Sequence, residues 1–167
     1  PPRSTLFPYT TLFRSLRLAE LQFDLERFTD ALRALEYALR LEPGNSSALL
    51  LASAALLETG DYQRASQMAE QVANLGDGNR LAALSNQSSA LLRLGRFDDA
   101  LTAADTALVV DENQAAAHSN RGSALFGLGR NEDALAAFDR ALALRPGHAV
   151  TSMGFFQLNT RAPYGHA

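Results

Sequence analysis

A pattern of small and apolar residues recurs along this 167-residue chain at a spacing of 34 or 35. A period of that length constrains the fold more than any single motif does. Its clearest copy is the segment 115–146, where Gly122, Ala124 and Leu125 are followed by Gly129, Ala134, Leu135, Phe138, Ala141, Leu142 and Pro146. Apolar residues three and four apart lie along one stripe of each of two short helices. Gly129 supplies the left-handed backbone that ends the first helix, and Pro146 cannot continue the second. Gly122 and Ala134 are small, so the two helix axes can approach closely where they cross. Neither helix hides its stripe alone, and the pair therefore requires a neighbour.

Shifted toward the N-terminus by 34, the positions of Ala134, Gly129 and Ala141 become Ala100, Gly95 and Ala107. A further 35 reaches Ala65, Gly60 and Val72, and 34 more reaches Ala31, Glu26 and Ala38. Four units register, at 12–45, 46–79, 81–114 and 115–148, with the extra residue near Arg80 in the Gly76-Asp77-Gly78-Asn79 stretch, where a loop tolerates it. Glu26 departs from the pattern by standing where a turn glycine is usual. The third unit has Glu112 in place of the closing proline and Ser88 in place of Gly122, but serine is small, and Asp111-Glu112-Asn113 breaks a helix through side-chain competition with the backbone. Residues 48–59 are apolar nearly all round, which predicts a helix covered on both sides. Asn45-Ser46-Ser47 predicts its cap.

The spacing of these residues resembles a tetratricopeptide repeat (TPR) of bacterial type, and the resemblance covers most of the chain. It implies an all-α fold, a right-handed α-solenoid of four TPR-like helix hairpins plus a C-terminal helix. Residues 16–148 are the array. Residues 149–160 are a capping helix or a truncated fifth repeat, and 161–167 a frayed tail. Thr5–Ser15 resembles the in-frame translation of a sequencing-library adapter, so 1–15 is set aside as a non-native segment and the natural coding sequence is taken to start near Leu16, truncated upstream.

The same resemblance implies that first helices line a concave, peptide-binding groove. Carried onto this sequence, it exposes Glu20, Phe23 and Asp24; Leu50, Ala54, Leu57 and Glu58; Ser85, Asn86, Ser89, Leu92 and Arg93; and Ser119, Asn120, Ser123 and Phe126. This surface is acidic and apolar at one end and polar at the other. Asn86 and Asn120 are 34 apart, and their amides can donate to and accept from an extended peptide backbone. The pair resembles the asparagine ladder in the repeat region of O-linked N-acetylglucosamine transferases, and Ala117-His118-Ser119-Asn120 is similar to a stretch of that family. The competing reading is that both asparagines satisfy the groove wall or neighbouring backbone. Repeats that grip chaperone tails rely on groove lysines. This chain has none, although Arg93 can hold one carboxylate.

Composition narrows the function classes. All fifteen basic residues are arginine and isoleucine is absent, which suggests a GC-rich bacterial genome. A net charge of −3 argues against a nucleic-acid partner. The absence of cysteine removes disulfides and thiolate metal sites. No apolar run reaches the length of a membrane span and no signal peptide is visible, so a soluble, cytoplasmic protein without membrane association is expected. The histidines His118, His148 and His166 share no helical face with further ligands, and His118 reads as a packing residue. Gly76–Asn79 reads as a plain turn because it lacks the carboxylates calcium requires. The Asn-x-Ser patterns at Asn45 and Asn86 read as chance, and acidic pairs such as Asp98-Asp99 and Glu132-Asp133 as helix-start charges. No phosphate loop, nucleophile elbow or zinc motif is present.

The expectation is a non-enzymatic scaffold that binds an extended segment of a partner protein, with no metal or cofactor. The alternatives are the truncated repeat region of a larger enzyme, such as a TPR-containing glycosyltransferase or methyltransferase, and a structural spacer without a groove ligand. The packing logic carries its own test. Ala100→Leu or Ala134→Leu is expected to overpack a helix crossing and lower stability by about 1–3 kcal/mol, whereas Arg130→Ala shifts it by less than about 0.5 kcal/mol. Urea unfolding curves of equal midpoint for all three variants contradict the pairing.

Overall fold

The structure is a computed structural model that describes residues 8–145, and among the described residues there are eight helices and no strand. In order these are α1 (Pro8–Asp24), α2 (Phe28–Leu41), α3 (Ser46–Thr59), α4 (Tyr62–Leu75), α5 (Arg80–Arg93), α6 (Phe97–Val110), α7 (Ala115–Gly127) and α8 (Asn131–Leu144). The helix expected at 149–160 and the tail at 161–167 lie outside the described residues. α1 runs through the adapter-like residues, and Leu12 packs with Leu16 against a buried cluster of Ala19, Leu35, Ala38, Ala48 and Ala52.

Each helix pair turns on one residue with positive φ: Glu26 at 57°, Gly60 at 85°, Gly95 at 73° and Gly129 at 77°. The next residue donates its N–H back to the first helix, Arg27 to Gln22, Asp61 to Leu56, Arg96 to Leu91 and Arg130 to Leu125. This closure satisfies carbonyls that the helix end leaves open. The missing glycine at Glu26 therefore does not change the turn. It places a Cβ in the left-handed region, where the carbonyl crowds it.

The fourth residue of every even-numbered helix is an alanine, and Ala31, Ala65, Ala100 and Ala134 are each 0% exposed. Their surroundings match, since each N–H bonds the carbonyl of the residue that precedes its helix. On the opposing odd-numbered helix stand Ala19, Ser53, Ser88 and Gly122, all buried. A Cβ added at Gly122 would sit 2.7 Å from the Phe138 ring, so any side chain there forces the phenylalanine that α8 brings to the crossing to shift. Ser88 fills its place and donates its hydroxyl to the Ala100 carbonyl at 2.9 Å, tying α5 to α6. Nothing in the repeat pattern marks Gly127, yet the Phe97 ring of the preceding pair occupies the space a side chain there would need.

The pairs then stack. α2 packs on α3, α4 on α5 and α6 on α7. α3 is indeed covered on both sides: Ala48 and Ala52 join the cluster of Leu35, Leu49 that of Val72 and Ala83, and Leu56 that of Ala65 and Ala90. Its cap is Asn45, whose Oδ1 accepts from the Ala48 N–H at 2.9 Å. The odd helices also touch one another (α1 with α3, α3 with α5, α5 with α7), and the even helices have no comparable contacts. A stack whose odd helices converge while its even helices spread is curved, with the odd helices on the inner side.

Second helices start on a repeated ion pair: Arg27–Asp30 at 2.8 Å, Arg96–Asp99 at 2.7 Å and Arg130–Asp133 at 2.7 Å, with the order of charges reversed in Asp61–Arg64 at 3.6 Å. Such exposed pairs contribute little on their own. Asp30, Asp99 and Asp133 also lie in the first turn and Asp61 caps its helix, where the helix dipole favours them.

The turn geometry generates a matched pair of variants. Glu26→Gly relieves the left-handed Cβ and is expected to raise stability by about 1 kcal/mol, while Gly95→Ala, which meets no neighbouring atom within 4 Å, lowers it by about the same amount through backbone strain alone. Urea midpoints moving in the same direction for both variants would refute this account of the turns.

Candidate functional site

The inner face is built from the odd helices. The structure brings onto them every groove residue expected from the sequence: Glu20, Phe23 and Asp24 on α1; Leu50, Ala54, Leu57 and Glu58 on α3; Ser85, Asn86, Ser89, Leu92 and Arg93 on α5; Ser119, Asn120, Ser123 and Phe126 on α7. None is buried. Glu20, Asp24, Glu58 and Arg93 are exposed, and the others are half-buried.

These residues form rows, one member per odd helix. Phe23, Leu57, Leu92 and Phe126 make an apolar rail whose inner sides rest on the core, Leu57 against Leu56 and Ala65, Leu92 against Leu91 and Ala100, and Phe126 against Leu125 and Ala134. Phe23 meets Phe28 edge to face, with ring centres 5.2 Å apart. Beside the rail runs a row of small residues, Ala54, Ser89 and Ser123, with Glu20 at its α1 end. Both serines are occupied by local bonds: Ser89 donates to the Ser85 carbonyl at 2.9 Å and Ser123 to the Ser119 carbonyl at 3.1 Å.

A polar seam holds adjacent odd helices together. Asn86 Nδ2 donates to Ser53 Oγ at 2.8 Å, and Ser53 passes its own proton to the Leu50 carbonyl at 2.7 Å. Asn120 Nδ2 donates to the Ser85 carbonyl at 3.1 Å and to Ser89 Oγ at 3.2 Å. Asn79 Nδ2 reaches Ser46 Oγ at 2.6 Å, and Arg93 Nη2 reaches the Tyr62 hydroxyl at 2.7 Å with its guanidinium 5.0 Å from the ring centre. Asn86 and Arg93 are seven residues apart on α5, and Asn79, the residue before the helix, stands seven earlier, so the three follow one side of α5. The asparagine amides thus donate to the groove wall, the second of the two sequence readings. Each Oδ1, by contrast, takes no hydrogen bond among the described residues. Arg93 lies over the Tyr62 ring and gives one of its five N–H donors to that hydroxyl.

The remaining polar candidates are structural. His118 Nε2 lies 2.9 Å from the Glu112 carbonyl, and because a carbonyl only accepts, the ring nitrogen donates. Asp77 Oδ1 accepts from the Asn79 N–H at 2.9 Å, and Asp111 makes the same turn with Asn113 at 3.0 Å. The Ser46 hydroxyl, and after it that Asn79 N–H, holds the Asp77 carboxyl below its ordinary pKa. Among the described residues no group of three or more histidine, aspartate or glutamate side chains is placed to hold a metal, and no helix is long and apolar enough to cross a membrane. His148 and His166 lie outside the described residues.

Helix pairs of this length, stacked with one set of helices inside, define an α-solenoid. Two tetratricopeptide repeat family models match the chain, at residues 22–88 and 86–149. The chain belongs to the tetratricopeptide-repeat family. Among solved structures it is similar to a thermophilic TPR protein of Thermus thermophilus (TM-score 0.77, 23% identity, covering 90% of this chain and 83% of that one). It is also similar to MamA from Desulfovibrio magneticus RS-1 (TM-score 0.75, 23% identity, 90% and 85% covered). A third is YrrB, a TPR protein with an unusual peptide-binding site (TM-score 0.67, 22% identity, 86% and 76% covered). No curated protein matches the sequence.

The seam predicts an effect on stability. Asn86→Ala removes the donor to Ser53, which is fully buried, and is expected to cost about 1 kcal/mol. Ser47→Ala, at an exposed site in the first turn of α3, is expected to be neutral within about 0.5 kcal/mol. Thermal unfolding that leaves the two variants indistinguishable would remove the seam from the stabilising interactions.

Proposed function

We propose that the chain is a non-catalytic scaffold whose inner face binds an extended segment of a partner protein. The observation that carries this reading is the apolar rail Phe23–Leu57–Leu92–Phe126: large apolar side chains half-exposed, one per helix pair, beside a row of small residues. A surface of this kind offers apolar contact at regular intervals. The Oδ1 atoms of Asn86 and Asn120 add acceptors that match backbone N–H groups of an extended chain. YrrB, similar in fold, is a peptide binder by description, and its likeness to this chain supports the same use of the inner face.

Filling the groove is the direct test. Ala54→Tyr plus Ser123→Tyr places two rings in the small-residue row without removing a core contact. Display of a random peptide library against the wild-type chain is expected to enrich sequences that the filled variant no longer retains, while Leu135→Ser, an exposed change on α8, keeps them. Equal retention by the filled variant would overturn the groove as the binding surface.

A further inference from the structure

The charges on the inner face are unevenly satisfied. One position along the odd helices reads Asp24, Glu58, Arg93 and Gly127, each immediately following a member of the apolar rail. Asp24 and Glu58 are exposed and take no ion pair or side-chain hydrogen bond among the described residues. Cations stand close by in sequence and are all engaged elsewhere: Arg17 with Glu20 at 2.8 Å, Arg27 with Asp30 at 2.8 Å, and Arg64 with Asp61 and Glu36 at 3.6 and 4.0 Å. Arg93, the next member of the same row after Glu58, is held by the Tyr62 ring and hydroxyl. The α1–α3 half of the groove therefore presents two open carboxylates against an apolar strip, and the α5–α7 half presents serine, asparagine and the Tyr62-bound Arg93.

We propose that the occupant of the groove is an extended segment carrying basic side chains, seated with those residues on Asp24 and Glu58 and its apolar residues on Phe23 and Leu57. This rests on the groove reading above and adds the partner's chemistry to it. Packed neighbouring helices lie about 8–10 Å apart, and a chain extended as a polyproline II helix advances about 3.1 Å per residue and returns to the same face every third residue. Two basic residues about three positions apart, with an apolar residue between them, meet the two carboxylates in register. An acidic segment meets repulsion at the same rungs and is excluded.

The test uses the full chain and fluorescein-labelled synthetic peptides of about twelve residues, a length that spans the four odd helices at about 3.1 Å per residue. One carries arginine at every third position with leucine between, and the other has glutamate in place of arginine. By fluorescence anisotropy, the arginine peptide is expected to bind and the glutamate peptide not. Asp24→Asn plus Glu58→Gln is expected to weaken the arginine peptide by about tenfold, and raising the salt from low to high ionic strength to weaken the wild-type complex similarly. Asp24→Arg plus Glu58→Arg is expected to transfer binding to the glutamate peptide, a gain that a misfolded variant does not produce. If the arginine peptide is displaced by Ala54→Tyr plus Ser123→Tyr but ignores both charge variants, the basic partner is wrong and the groove stands. If it ignores the filled variant as well, both are wrong; if it fails to bind the wild-type chain, the basic partner is wrong and the groove is decided by the library display.

Discussion

Two helices can cross as closely as these do only where the side chains at the crossing are no larger than the gap between the axes, and every other feature of the stack follows from meeting that condition four times. Ala31, Ala65, Ala100 and Ala134 meet it from the second helix, fully buried in each case. The opposing residue is adjusted to whatever else arrives: glycine under Phe138, and in α5 a serine that returns a hydrogen bond to the Ala100 carbonyl. Small residues at the crossing reduce the apolar area each pair hides by itself, so the pairs depend on stacking for the rest. That dependence produces the long helical array with an inner face.

The inner face is organised by a second condition. Adjacent odd helices run close together with half-exposed surfaces, where an all-apolar contact would leave a greasy strip open to water. The chain instead places donors on α5 and α7 opposite acceptors on the preceding odd helix, Asn86 on Ser53 and Asn120 on Ser85 and Ser89, and reserves its large apolar groups for a separate row. Polar seam and apolar rail are thereby separated. The first holds the wall together, and the second keeps the large apolar groups half-exposed on the inner face.

The arginine-only composition shapes the electrostatics in the same manner. Arg27, Arg96 and Arg130 each lie over an aspartate three residues on, at the start of a second helix, where their planar fork suits a carboxylate. These cations sit at the hairpin turns, and their pairing leaves the carboxylates of Asp24 and Glu58 as uncompensated charge on the inner face. Helical scaffolds distinguish partners through such residual charge, because the apolar row alone accepts many sequences.

The 34- and 35-residue period, written in small side chains and turn glycines, was enough by itself to determine the helix pairs and their turns, because periodicity and close approach are properties of residue size and spacing, while which helices face inward followed from the family resemblance. Even the turn at Glu26 was locatable by register, although its conformation was not, since nothing local obliges a glutamate to take positive φ. What only the tertiary structure decided was where polar atoms spend their hydrogen bonds and which rings need room: that Asn86 and Asn120 donate into the wall, that Arg93 turns onto Tyr62, that Phe97 needs Gly127 bare. Those partners stand 30 or more residues away in the chain. A hydrogen bond is settled by tenths of an ångström between side chains that meet only after the helices have stacked, and no spacing rule along the sequence carries that information.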